Sequence, residues 1–291
     1  MTSVRHLPEP RTLREKLRRV RWTLARRVTA LGLLTLMAAS ARFGWTWLSG
    51  DLSASLWLGA VHLSDPFAAL ERLAAGMIPT AAVLSGAGLA LLFYALVGSR
   101  AFCGWVCPMN AVTETATWFR KRLGLTADLR IPNGVRYALC AGVLLASAVT
   151  GSAAFEPVSP QGLLWRDVVW GTGLSGLSAA LGLAALEIAL GPNLWCSKLC
   201  PLGAFWAVVG RLNPKPLVRI RFVDARCTRC GDCLRVCPEQ QILKFKTMAQ
   251  KGAVPTGECL LCGRCTAVCP EDALRWSTPL HRRPDNKETP S

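Results

Sequence analysis

The sequence predicts an α-helical membrane protein, with four transmembrane helices followed by a small C-terminal α+β domain on the cytoplasmic side. Three observations carry this. First, the 291 residues are 51% hydrophobic, yet 34 Lys and Arg face 18 Asp and Glu, a formal net charge of +16. The apolar residues must therefore be gathered in runs rather than spread through an ordinary core. Second, the segments between those runs differ sharply in basic charge. Third, of thirteen cysteines only Cys140 lies inside a run, and the other twelve recur in repeated patterns. A basic chain can also suit nucleic acid. Here Lys and Arg flank apolar runs and no zinc-finger or recognition-helix pattern occurs, so a lipid bilayer is the expected partner and nucleic acid is not.

In chain order, a basic N-terminus (1–27) holds nine Lys and Arg, and the spans fall at 28–48, 77–98, 135–154 and 173–191. Each is close to the roughly 20 residues needed to cross a bilayer, and their Gly, Ala and Ser suit close helix packing in lipid. Residues 99–134 hold five basic residues and the stretch after 191 holds sixteen, whereas 49–76 and 155–172 hold one each, Arg72 and Arg166. Positive segments stay inside, so both termini and the middle segment are expected in the cytoplasm of a bacterial inner membrane. An alternative makes the first span a cleaved leader, with Arg26-Arg27 as a twin-arginine start and residues 39–41, "ASA", as the cleavage site. The sidedness downstream would be unchanged.

The outer segment 64–76, "SDPFAALERLAAG", reads as a surface helix with Asp65 as N-cap, Pro66 at N1 and Gly76 as its stop. Trp57, His62, Trp165 and Trp170 read as interfacial residues of the outer segments. Glu187, inside the fourth span, is an ionisable group in a costly place, suited either to proton handling or to a hydrogen bond with a neighbouring span. The domains are then 1–27, a membrane domain over 28–210, a cysteine-rich domain over 211–278 entered through the strand "LVRIRFV" (217–223), and a polar tail, 279–291.

The cysteine-rich domain repeats one pattern. Cys227, Cys230, Cys233 and Cys237 with Pro238, then Cys259, Cys262, Cys265 and Cys269 with Pro270, both fit C-x2-C-x2-C-x3-C-P. Three thiolates at that spacing cap three irons of a cubane, and the fourth reaches the other cluster. The expected sites are one [4Fe-4S] cluster on Cys227, Cys230, Cys233 and Cys269, and another on Cys259, Cys262, Cys265 and Cys237. Zinc would leave the third cysteine and the proline without a role, and a reducing compartment argues against disulfides. Residues 220–278 resemble bacterial two-cluster ferredoxins. So small a domain has little core, and cluster binding should supply much of its folding free energy.

Two further pairs, Cys103 and Cys107 in "FCGWVCPMNA" and Cys196 and Cys200 in "WCSKLCPLGAF", each follow a span as C-x3-C-P. Residues i and i+4 share a helix face. If the two ends meet, their four thiols could hold additional metal as another cluster, pair as redox dithiols, or dock a partner.

The basic N-terminus, four spans, both C-x3-C-P motifs and the paired cluster motifs together resemble the membrane-bound ferredoxin-type proteins of the NapH and MauN group. The resemblance implies an electron-transfer component, in the NapH case part of a quinol dehydrogenase feeding periplasmic nitrate reductase, and in the MauN case part of methylamine utilisation. It implies the quinone pool and a redox partner protein on the membrane or in the periplasm as partners, and marks no quinone-binding or catalytic residue. The other class of function is a maturation factor whose clusters reduce a periplasmic dehydrogenase during its assembly. C-x-x-C-H is absent, and only His6, His62 and His281 occur. Covalent and bis-histidine haem are therefore not expected, and no Gly-rich phosphate loop marks a nucleotide site.

Overall fold

The computed structural model describes residues 12–51, 53–126, 128–129 and 131–278; His6, His281 and the polar tail lie outside them. Helix α1 (Leu13–Phe43) starts well before the predicted span. Its first turns are rich in Arg, Lys and Leu, all good helix formers, so the basic segment and the apolar segment wind as one rod. The rod runs unbroken through residues 39–41. Arg26, 2% exposed, donates to the Asn110 and Glu114 side chains, both at 2.9 Å. The twin arginines are thus part of the packed structure.

The segment 48–76 holds more order than the sequence suggests. Strands β1 (Leu48–Gly50), β2 (Ala54–Trp57) and β3 (Val61–Ser64) form an antiparallel meander with Leu56 opposite His62. Strands of three or four residues are too short for alternation to stand out. Helix α2 (Pro66–Ala74) begins as expected, with the Asp65 carboxylate accepting from the Phe67 N–H at 2.9 Å and Pro66 at N1. It ends just before Gly76, at φ +77°. The meander lies on α3 (Ala81–Val97), and the contact demands Gly86: a Cβ there would come within 2.8 Å of the His62 carbonyl oxygen.

Next come α4 (Ala101–Trp105), α5 (Met109–Arg122), α6 (Val135–Thr150), α7 (Pro160–Trp170), α8 (Ser175–Leu190) and α9 (Pro201–Leu212). Among the described residues only one helix, Lys16–Phe43, is by itself long and apolar enough to cross a membrane. The three later spans are shorter as helices. Helix α3 follows a Pro79 lead-in, Gly151 in the left-handed region closes α6, and Gly191 ends α8. At 1.5 Å per residue, the 16 residues of α6 or α8 extend about 24 Å. Large apolar side chains stand exposed along them: Leu89, Leu92 and Phe93 on α3, Leu145 and Val149 on α6, Leu177 and Leu181 on α8. Trp165 is not a surface anchor. It is 1% exposed, packs with Met37 and Val169, and donates its indole N–H to the Met37 sulfur. It faces inward because α7 packs against both α1 and α8.

The C-terminal domain pairs β4 (Arg219–Phe222) antiparallel with β5 (Leu274–Ser277), Phe222 opposite Leu274. Along β4, Ile220 and Phe222 are buried and Arg219 and Arg221 are less so, the alternation of a strand covered on one face. Helices α10 (Asp232–Val236), α11 (Phe245–Lys251) and α12 (Arg264–Val268) complete it over a core that includes Ile242, Met248 and Leu261. Two contacts fix this domain on the helices. The chain entering β4 runs beside the end of α3, with the Val218 N–H bonded to the Val97 carbonyl at 3.0 Å. Glu114 on α5 meets Arg26 and Arg27 of α1 and Arg264 of α12.

Candidate metal centres

The C-terminal domain contains two small cavities, each lined by four cysteines. One is lined by Cys227, Cys230, Cys233 and Cys269, with Pro270 and Phe222. The other is lined by Cys237, Cys259, Cys262 and Cys265, with Pro238 and Ile220. In each, three cysteines come from one motif and the fourth from the other. The reason is local. Each C-x2-C-x2-C loop turns through a left-handed glycine, Gly231 at φ +82° or Gly263 at φ +71°, into a helix of five residues. The last cysteine follows that helix in extended backbone, which carries it toward the opposite loop.

Burial pushes the Cys233 thiol up to about 11, and the neighbouring sulfurs of Cys230, Cys227 and Cys269 add to the rise. Cys265 is raised well above the usual range by burial, and further by Cys262, Cys259 and Cys237. Buried sulfurs that raise one another's pKa want an electrophilic charge between them. Among the described residues, no three His, Cys, Asp or Glu side chains close around a single metal ion. Four thiolates around each cavity match the four irons of a cube, one ligand to each iron.

The two C-x3-C-P motifs also meet. The second winds as a π-turn over Trp195–Leu199, with the Cys200 N–H on the Trp195 carbonyl at 2.8 Å, whereas the first is α-helical through Trp105 and widens only at its end, where the Phe102 carbonyl accepts from both the Val106 and the Cys107 N–H at 3.0 Å. The π-turn of the second replaces the regular helical turn expected from the spacing, and such turns are frequent at functional sites. Burial raises the Cys107 thiol, with Cys103 and Cys200 adding to it. Cys196 is raised well above the usual range by burial, then by Cys107, Cys200 and Cys103. Burial likewise pushes Cys200 up to about 12. Four thiols from sequence positions nearly a hundred residues apart therefore share one buried neighbourhood. Glu187 serves this site structurally: it is 1% exposed and its carboxylate accepts from the Trp195 N–H at 3.0 Å, holding the turn that carries Cys196.

A buried charge network joins the thiol group to the second cavity. Arg100 is fully buried; it donates to Glu239 at 2.6 Å, to the Glu258 carbonyl at 3.0 Å and to the Cys196 carbonyl at 3.1 Å. It also hydrogen-bonds the Cys103 sulfur and opposes the rise that burial imposes there and at Cys259. Arg136 completes the pairing with Glu239 at 3.1 Å and Glu258 at 2.9 Å. Burial alone would raise Glu258, but Arg136 and the Tyr137 hydroxyl hold it down at about 2. The second-motif loop sits directly on α4. The Trp105 indole donates to the Leu261 carbonyl at 2.9 Å, and a Cβ on Gly104 would come within 2.3 Å of the Leu260 carbonyl oxygen. The order from the helices outward is thus four thiols, the cavity of Cys259, then the cavity of Cys227. Sequence patterning singled out none of Arg100, Arg136, Glu239 and Glu258. The available signal was an arginine at the edge of each of two apolar runs, the same costly placement that drew attention to Glu187.

Comparison with known proteins agrees with this chemistry. A family described as "4Fe-4S binding domain" matches residues 80–126 and 172–219, the segments carrying the two C-x3-C-P motifs, and a "4Fe-4S dicluster domain" matches 219–270. The ferredoxin-type protein NapH of Haemophilus influenzae is 40% identical over 232 residues, 79% of each chain. The methylamine utilization ferredoxin-type protein MauN of Methylorubrum extorquens is 39% identical over 241 residues, 82% of each chain. NapH of Escherichia coli is 36% identical over 235 residues, 80% of each. No solved structure matches.

Proposed function

Because the chain belongs to the NapH and MauN ferredoxin-type proteins, we propose that it is a multi-pass membrane protein that carries electrons between the quinone pool and a periplasmic enzyme system of the nitrate reductase or methylamine dehydrogenase kind. The chain is an iron-sulfur protein of [4Fe-4S] type. In this reading Cys227, Cys230, Cys233 and Cys269 hold one cluster, and Cys259, Cys262, Cys265 and Cys237 the other; bound clusters supply single-electron transfer. Cys103, Cys107, Cys196 and Cys200 serve as an additional metal or redox centre. The observation that carries the proposal is the ordered row of three four-cysteine groups, with Arg100 between the first and the second. Arg100 and Arg136 hold positive charge beside the buried sulfurs, which favours electron arrival there.

Iron analysis tests the assignment. The anaerobically purified protein should carry at least about eight irons and eight sulfides, as two cubanes require. Cys269→Ser should degrade the cluster built mainly by the first motif and spare the second. Damage confined to the second-motif cluster, or stoichiometric zinc without sulfide, would refute it.

The exposed apolar residues of α3, α6 and α8 support the membrane placement, since patches of that extent on a soluble surface are rare. The charge asymmetry between segments supports cytoplasmic termini. Reporter fusions at Lys121 and the C-terminus should behave as cytoplasmic, and fusions near Ser64 and Val168 as periplasmic. A periplasmic C-terminal domain would overturn the topology. The maturation reading keeps the same clusters and differs only in whether the electrons support turnover of the partner enzyme or its assembly.

A further inference from the structure

A cavity of about 430 Å³ opens between the meander, α1 and α3. Its walls are apolar: Leu33, Met37, Leu89, Phe93, Trp57 and Trp165 among them. Leu89, Phe93 and Trp57 are each about half exposed, so the opening faces the same apolar surface that α3 presents to lipid. A molecule dissolved in the bilayer can enter sideways without crossing water. The inner end is aromatic. Tyr94, Phe102 and Trp206 lie with ring centroids 5.2 to 6.0 Å apart and belong to one packed cluster with Cys103 and Cys200. One aromatic layer therefore separates the cavity from the four thiols.

The cavity is not wholly apolar. Asp65, with Ser64 beside it, lines it, and Asp65 also lines a second small cavity that holds Glu71, Glu156 and Gln161. Glu71 is fully buried. One of its oxygens accepts from the Phe155 N–H at 2.7 Å and the other has no partner. A buried carboxylate oxygen without a partner costs free energy unless it does something else. These three carboxyl groups lie along one path that leaves the apolar cavity at Asp65 and ends at Glu156, where Arg72 pairs at the partly exposed edge.

We propose that the apolar cavity is the quinone site: a quinol ring lies between Tyr94 and Asp65, gives its protons to Asp65, and Glu71 and Glu156 carry them out. This deepens the quinone-linked reading above and rests on it. In the forward direction two quinol O–H bonds break and the quinone is formed. Two protons leave by the carboxyl path, and two electrons leave one at a time through the aromatic layer to the cysteine-bound centres and on to the redox partner protein. The reverse direction uses the same groups. Burial raises Asp65 to about 7, with the charges of Glu156 and Glu71 adding and the Phe67 N–H opposing. The carboxyl can thus both take and release a proton near neutrality. Charged groups on the packed elements are Asp51 across the cavity, Glu71, Glu156 and its partner Arg72, and Arg166, which donates to the Glu156 carbonyl.

The test uses the cluster-loaded full chain, reduced with dithionite, freed of excess and mixed with decylubiquinone while the visible absorbance of the clusters is followed. Ala90→Phe, which narrows the cavity, should weaken quenching of tryptophan fluorescence by decylubiquinone by about tenfold or more. Asp65→Asn keeps the helix cap, since Asn caps as well as Asp. It should slow re-oxidation about a hundredfold and remove its pH dependence near neutrality. Ferricyanide, a soluble acceptor, should oxidise every variant at the wild-type rate, which shows the clusters intact. Wild-type rates and quenching in both variants would place the quinone elsewhere and leave the quinone-linked reading standing. Wild-type protein oxidised by ferricyanide but inert to decylubiquinone would sink that reading and the site with it.

Discussion

Replacing Glu239 by alanine should cost about 3–5 kcal/mol, the largest loss expected from any single substitution outside the cysteines, because it leaves two buried guanidinium groups without their shared carboxylate. Arg100 and Arg136 are fully buried and Glu239 is 1% exposed. Thermal unfolding in detergent, followed by tryptophan fluorescence, should fall by about 6 °C or more. Protease should then cut between α9 and β4, where the C-terminal domain is held to the helices. Arg211→Ala is the control. Arg211 also pairs with Glu258, at 2.8 Å, but is 57% exposed, and exposed pairs contribute at most about 1 kcal/mol. Equal losses for the two variants would show that Glu239 does not anchor the domain.

Serine at Cys103, Cys107, Cys196 and Cys200 together should abolish quinol-dependent reduction of the partner enzyme in membrane vesicles, to the level of vesicles lacking the protein. The absorbance of the C-terminal clusters should persist. The geometry makes the expectation sharp: these thiols stand between the helices and the Cys259 cavity, with Arg100 reaching from the Cys196 carbonyl to the Glu258 carbonyl beside Cys259. Wild-type rates would remove the thiols from the electron path. Deletion of the whole protein without effect on the mature partner's rate, but with loss of active partner during its synthesis, would favour the maturation role.

The sequence by itself determined the chemistry that depends on short spacings. C-x2-C-x2-C-x3-C-P marks a cluster loop because its ligands lie within one turn and a five-residue helix, and Asp65-Pro66 marks a helix start because an N-cap bonds only two residues ahead. The segregation of Lys and Arg from the apolar runs was equally legible, since composition needs no partner. Tertiary structure alone decided what depends on packing. Nothing in the spacing of Cys103, Cys107, Cys196 and Cys200 says that two helix ends, separated by three intervening helices, meet. Nor does it say that Arg100, Arg136 and Glu239 come together from the helices and the C-terminal domain. The short strands at 48–64 and the inward-facing Trp165 were missed for the same reason: their neighbours, α3 in one case and α1 and α8 in the other, are distant in sequence. Asp65 is the clearest instance. Its local role as a cap is written in the residues beside it, whereas its place between an apolar cavity and two further carboxyl groups exists only because α2, α3, α4 and the segment around Phe155 pack around one point.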